Sequence, residues 1–150
     1  MTRSQRLRPV ANIKQKEQLN SARELSKTIE EVKKQEQRLA ELAHYRDDYR
    51  SKFQQMTNTG ASIERIRHYQ EFIARLNQSI VLQTQRIVDG KKQLEIKKLD
   101  WKHARARSDA FDKVVDRYRD EENQLAEQRQ QKEADDQAQR KNNTSIRSRG

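Results

Sequence analysis

The sequence predicts an all-α protein, a long two-helix antiparallel coiled-coil hairpin with a C-terminal helical overhang. Its second half holds a strict seven-residue repeat: Ile66, Ile73, Ile80, Ile87, Leu94 and Trp101, then the polar Ser108, then Val115. A second series runs three residues behind: Tyr69, Leu76, Gln83, Gly90, Lys97, Ala104, Phe111, Tyr118 and Leu125. Two stripes offset by three and repeating every seven form the seam of a left-handed coiled coil. Composition agrees, with 37% of residues charged and 31% hydrophobic, well short of the roughly 45–50% apolar content of globular domains. A disordered chain has no reason to keep phase over so many heptads. From Ile66 to Leu125 a continuous helix would span about 90 Å at ~1.5 Å per residue, so the expectation is a rod counted as a single coiled-coil domain over residues 1–150.

The first arm has its own stripe: Ala22, Leu25, Ile29, Val32, Leu39, Leu42, Tyr49, Phe53 and Met56. Its steps alternate three and four until Leu39. The step to Leu42 comes early, a slip that would locally overwind the supercoil. Val10, Ile13 and Leu19 fit the stripe less well, which predicts a looser end. Pro9 suits a first helical turn, where its missing N–H costs nothing. Helix one is therefore expected over about residues 9–56.

Residues 57–62, Thr-Asn-Thr-Gly-Ala-Ser, are the one cluster of turn formers in the middle of the chain. Gly60 can close one helix in the left-handed conformation, and Thr59 or Ser62 can cap the next. The arms then fold back antiparallel. Phe53 is expected to meet Ile66, Leu39 to meet Ile80, Val32 to meet Ile87 and Leu25 to meet Leu94, with Leu19 near Trp101. Apolar meets apolar at each point, an independent argument for the hairpin.

Helix two is expected over about residues 62–138, with a flexible tail at 141–150. Helix one runs out opposite roughly Val115, which would leave Tyr118 and Leu125 without partners in the chain. Gly90, at a seam position, costs about 1 kcal/mol of helix propensity relative to Ala. It reads as a tolerated weak point rather than a hinge.

No catalytic constellation is legible. The chain has no Cys, no Gly-rich phosphate loop, and three scattered histidines, His44, His68 and His103. No metal, no cofactor and no enzymatic activity is predicted. No segment approaches the ~20 apolar residues of a membrane span, and the start lacks the apolar core of a signal peptide. A soluble, cytoplasmic protein without membrane insertion is expected. The formal net charge of +10 suggests an acidic partner. Acids interleave with the bases along both helices, however, as on solvated faces. A basic coiled-coil nucleic-acid binder is the alternative reading, and nucleic acid is not the expected partner.

The aromatic residues are more informative. Leu42, Tyr45 and Tyr49 step by three and four on helix one, and Phe72, Leu76, Ser79 and Gln83 do so on helix two. Tyr45 and Phe72 fall beside the stripes rather than in them. The expected register puts both sets near the hairpin turn, as one partly exposed patch. Exposed aromatic clusters tend to be interaction sites; the competing reading is a core widened where the seam slips.

The motifs Ala40-Glu41-Leu42-Ala43-His44-Tyr45-Arg46-Asp47-Asp48-Tyr49-Arg50 and Tyr69-Gln70-Glu71-Phe72-Ile73-Ala74-Arg75-Leu76, with Gly60 between them, resemble the flagellar export family FliJ. The segments 117–122 and 133–140 fit the same pattern, so the resemblance covers roughly residues 5–140. It implies a two-helix stalk of the bacterial flagellar type III export apparatus, similar to the rotor stalk of the F1 ATPase. The expected partners are the hexameric export ATPase, the cytoplasmic domain of the membrane export gate, and export chaperones. The expected location is the cytoplasmic face of the membrane at the flagellar base. The family's gate contacts carry over to Leu42, Tyr45, Tyr49, Phe72 and Leu76, with Arg38, Ser79 and Gln83 on the same face. The overhang with Tyr118 and Leu125, and the basic start with Arg6 and Arg8, would be the end that meets the ATPase pore. The equivalent stalk of a virulence type III secretion system is a second alternative.

Overall fold

A computed structural model describes residues 1–149 as two helices, α1 (Arg3–Thr59) and α2 (Ile63–Arg149). There is no strand among the described residues. The helices pack as an antiparallel hairpin. The expectation was one domain; contacts group the chain into two compact units, Leu19–Lys102 and Met1–Gln18 with the stretch from His103 onward.

In the Leu19–Lys102 unit, α2 turns inward the residues that the two series name, from Ile66, Tyr69 and Ile73 through Gln83 and Ile87 to Lys97 and Trp101. On α1 Ala22, Ile29 and Ala43 are half-buried beside the seam, and the sheltered positions along it are Ser21, Leu25, Thr28, Val32, Gln35, Leu39, Leu42, Arg46, Tyr49, Phe53 and Met56. Their steps alternate four and three without interruption, so the slip expected after Leu39 does not occur. Counting only apolar residues skipped Thr28, Gln35 and Arg46, which hold the phase. Gln83 is 2% exposed, and its amide donates to the Gln35 backbone carbonyl at 2.9 Å and to Gln35 Oε1 at 2.6 Å. A buried polar layer of this kind fixes register at some loss of stability. Lys91 reaches Glu36 across the pair at 3.5 Å. Leu19 is exposed rather than turned into the seam as expected. Gly90 is half-buried, and a Cβ added to it would lie 3.3 Å from Val32 Cγ2. The glycine makes room for Val32, and α2 continues through it unbroken.

The turn is shorter than expected, because α1 runs on to Thr59. The Thr57 hydroxyl bonds back to the Gln54 carbonyl, and the Thr59 hydroxyl to those of Gln55 and Met56. Gly60 adopts φ 86°, and the Ala61 N–H donates to the Met56 carbonyl at 3.2 Å. This is the six-to-one bond of a Schellman cap. Ser62 caps α2: its Oγ accepts from the Arg65 N–H at 3.3 Å.

In the other unit, α1 begins six residues before Pro9. Thr2 and Gln5 form a reciprocal capping box. The Thr2 N–H donates to Gln5 Oε1 at 3.2 Å, and the Gln5 N–H to Thr2 Oγ1 at 3.3 Å. Pro9 therefore lies inside the helix, where it removes one backbone bond and crowds the carbonyl four residues back. Seam contacts hold the turns ahead of it. The Ser4 N–H and Oγ both donate to the Glu122 carboxylate, at 3.1 and 2.6 Å, and Arg3 lies over the Tyr118 ring at 5.7 Å. Tyr118 thus has a partner in the chain, contrary to expectation, because α1 starts earlier than Pro9 suggested. Ala11, Ala104, Ser108 and Val115 are buried around this seam, and Lys14 lies 6.0 Å from the Phe111 ring.

Beyond Glu122 every residue from 123 to 148 is exposed. α2 nevertheless continues to Arg149, where a helix end near 138 and a flexible tail over 141–150 were expected; Gly150 lies outside the described residues. The hydroxyls of Thr144 and Ser148 bond back to the carbonyls of Arg140 and Ser145. No Gly or Pro interrupts the sequence between Gly90 and Gly150, so nothing in this stretch breaks the helix.

Two outcomes follow from this geometry. Gly60→Ala places a Cβ on a left-handed backbone with nothing within 4 Å to support it. The substitution should cost about 1–2 kcal/mol, read as a lower thermal midpoint; an unchanged midpoint would mean the cap is not strained. The Ser4 hydroxyl and backbone N–H hold the Glu122 carboxyl below its usual range. A depressed carboxylate contributes stability above its unfolded pKa and loses it as pH falls through the folded value. The Ser4 amide resonance should therefore mark undocking as pH is lowered through and below the ordinary carboxylate range. Glu122→Gln should abolish that transition. A Ser4 amide with the same acid transition in both proteins would rule the contact out as its cause.

Candidate partner-binding face

The Leu19–Lys102 unit gathers the residues singled out near the turn. Tyr49, in the seam, meets the Tyr69 ring at a centroid distance of 5.7 Å and the Phe72 ring at 4.4 Å, both tilted. Lys52 lies over the Tyr49 ring at 5.4 Å. Phe72 is 37% exposed and Tyr45 59% exposed. The result is a three-ring cluster anchored in the seam, with Phe72 at its edge and Tyr45 largely in solvent.

One step further from the turn, a groove of about 200 Å³ is lined by Arg38, Leu42, Ser79, Leu82, Gln83 and Arg86. Four of these are among the expected contact residues. Heptad geometry explains the grouping. Arg38, Tyr45 and Lys52 recur every seven residues on α1, and Phe72, Ser79 and Arg86 every seven on α2. These two rows flank the seam, while Leu42, Tyr49, Leu76 and Gln83 are the inward residues beside them. The residues expected at the gate therefore occupy adjacent positions of one unit. Sequence reasoning gave Tyr69 only as a seam residue and passed over Lys52, Leu82 and Arg86. The last three are each seven residues or one turn from a named position, and that spacing was the available signal.

The residues expected at the other end belong to the second unit. Tyr118 lies between Arg3 at 5.7 Å and Arg117 at 6.0 Å. Arg6 and Arg8 are exposed on α1, and Leu125 is 56% exposed beyond the last paired turn. Among the described residues no group of His, Cys, Asp or Glu is arranged to hold a metal ion. Among these residues, too, no helix is long and apolar enough to cross a membrane.

Residues 3–147 match the family model described as flagellar FliJ protein. No curated protein matches significantly, and no solved structure does.

The exposure of Tyr45 and Phe72 sets the expected stability cost of removing them. Tyr45→Ala should leave the thermal midpoint nearly unchanged. Phe72→Ala gives up its contact with Tyr49 and should cost about 1 kcal/mol. A larger loss from Tyr45→Ala would place that ring in the core and remove it from the exposed face.

Proposed function

The chain belongs to the flagellar FliJ family, and we propose that it is a stalk and adaptor of the flagellar export apparatus that joins the export ATPase hexamer to the membrane export gate. The family supports a role in flagellar protein export; the two joined partners are our reading. The observation that carries it is the exposed Phe72, packed on the seam ring of Tyr49, which also meets Tyr69, with the exposed Tyr45 one turn away on α1. Aromatic side chains on a rigid support, beside Arg and Lys, have the character of a binding hot spot. The gate's cytoplasmic domain is its proposed occupant, through Arg38, Leu42, Tyr45, Tyr49, Phe72, Leu76, Ser79 and Gln83.

The unit holding both ends of the chain would meet the ATPase. Its exposed Arg6 and Arg8, the Arg3–Tyr118 contact and the uncovered Leu125 offer basic and apolar contacts to the hexamer's pore. Export chaperones are further proposed partners. The protein works by contact rather than by catalysis, at the cytoplasmic side of the membrane.

A pull-down of the full chain against the ATPase hexamer and the gate's cytoplasmic domain, at physiological salt, tests this. Both should be retained. Tyr45→Ala with Phe72→Ala should weaken gate retention about tenfold or more, the scale of losing hot-spot contacts, and leave ATPase retention intact. Retention of neither partner by a chain that is still helical would overturn the reading.

A further inference from the structure

We infer that the groove beside the aromatic face receives an acidic segment carrying an aliphatic residue, its carboxylate held by Arg38 and Arg86. The inference deepens the adaptor reading, and rests on it only for which protein supplies the segment.

The groove's lining holds two guanidiniums and no carboxylate. None of the ion pairs among the described residues involves Arg38 or Arg86. Some cations of the same unit find acids, Lys27 with Glu24, Lys33 with Glu30, Arg46 with Asp47, Lys91 with Glu36 and Lys98 with Glu95, and others such as Arg23, Lys34 and Arg75 form no ion pair among the described residues; what sets Arg38 and Arg86 apart is the groove they share. Two arginines on opposite helices thus flank one depression without an acid between them. Guanidinium is the cation suited to such a place, because its planar fork grips a carboxylate through two parallel hydrogen bonds.

The floor is fixed. Gln83 is 2% exposed, and its amide donors are occupied by Gln35. One wall is apolar: Leu42 is half-buried and Leu82 is 64% exposed. Val81 beside it is exposed too, and together they line a second depression with Asn77 and Gln78. A ligand that matches both halves has a carboxylate for the arginines and an aliphatic side chain for Leu42 and Leu82. Nucleic acid matches only the first half, since its phosphates leave the leucine wall uncovered.

The test is a binding titration of the full chain with the gate's cytoplasmic domain at low and physiological salt, with helicity followed in parallel. Arg38→Gln with Arg86→Gln should weaken binding about tenfold and flatten its salt dependence. Arg38→Lys with Arg86→Lys should keep the salt dependence and recover only part of the affinity. If the gate domain binds the Gln variant as tightly as the natural chain and with the same salt dependence, the inference fails while the adaptor reading stands. If the gate domain does not bind the natural chain, the adaptor reading fails. A synthetic peptide of alternating Glu and Leu then decides the groove. Binding that is lost in the Gln variant supports the inference. No binding, or equal binding, overturns it, as does Arg-dependent binding of single-stranded DNA with none of the peptide.

Discussion

Each helix has one narrow stripe to bury, and the other helix covers it. Only 31% of residues are hydrophobic, too few for a layered core, and a lone polar helix is marginal in water. The three-residue connection Gly60, Ala61 and Ser62 makes the second helix the first one's partner and sets the register from the turn outward. Two features of the Leu19–Lys102 unit then resist a slip. Sliding by a heptad would strand the buried Gln83 away from Gln35. It would also bring a side chain under Val32 in place of Gly90, which leaves 3.3 Å for a Cβ. Register is thus held by one polar layer and one missing side chain as much as by apolar area.

The α2 seam was legible because its series keep phase even where the residue is polar, as at Gln83, Lys97 and Ser108. The α1 seam was harder to read. Ala22 and Ile29 lie beside the inward positions Ser21 and Thr28, and Arg46 occupies a position that apolar counting leaves blank. A reader who follows only hydrophobic residues sees a slip at Leu39, whereas backbone geometry carries the alternation through. Pro9 misled for a related reason. It is favoured at a first turn, yet the Thr2–Gln5 capping box two turns earlier satisfies the helix start better. α2 runs on past residue 138 because the Asn, Thr and Ser residues that follow are weak helix formers but not breakers.

The face near the turn was legible in outline. Tyr45 and Phe72 fall off the stripes, and off-stripe aromatics on a two-helix hairpin are exposed by geometry. Less visible was that Tyr49 and Tyr69 would meet from opposite seams to support Phe72. That requires the register to be correct to within a turn. Arg86 and Lys52 were invisible for another reason. Basic residues on a charged helix look like ordinary solvated surface until the fold shows which of them adjoin a groove or a ring.

Pro9 gives the end of the hairpin that carries the chain's beginning a different character. Past a proline the helix has one backbone bond fewer, so the turns before it depend on what lies across the seam. Glu122 supplies that by taking both donors of Ser4, and Tyr118 by stacking under Arg3. Both contacts are electrostatic, and the apolar residues buried in this unit are small, Ala11 and Ala104, apart from Val115. The aromatic cluster by contrast is tied into a seam of Leu, Ile and Phe. One unit therefore presents its exposed residues from a rigid apolar support. The other holds its first turns by charge and hydrogen bonding, interactions that salt and acid weaken and that a charged partner can replace.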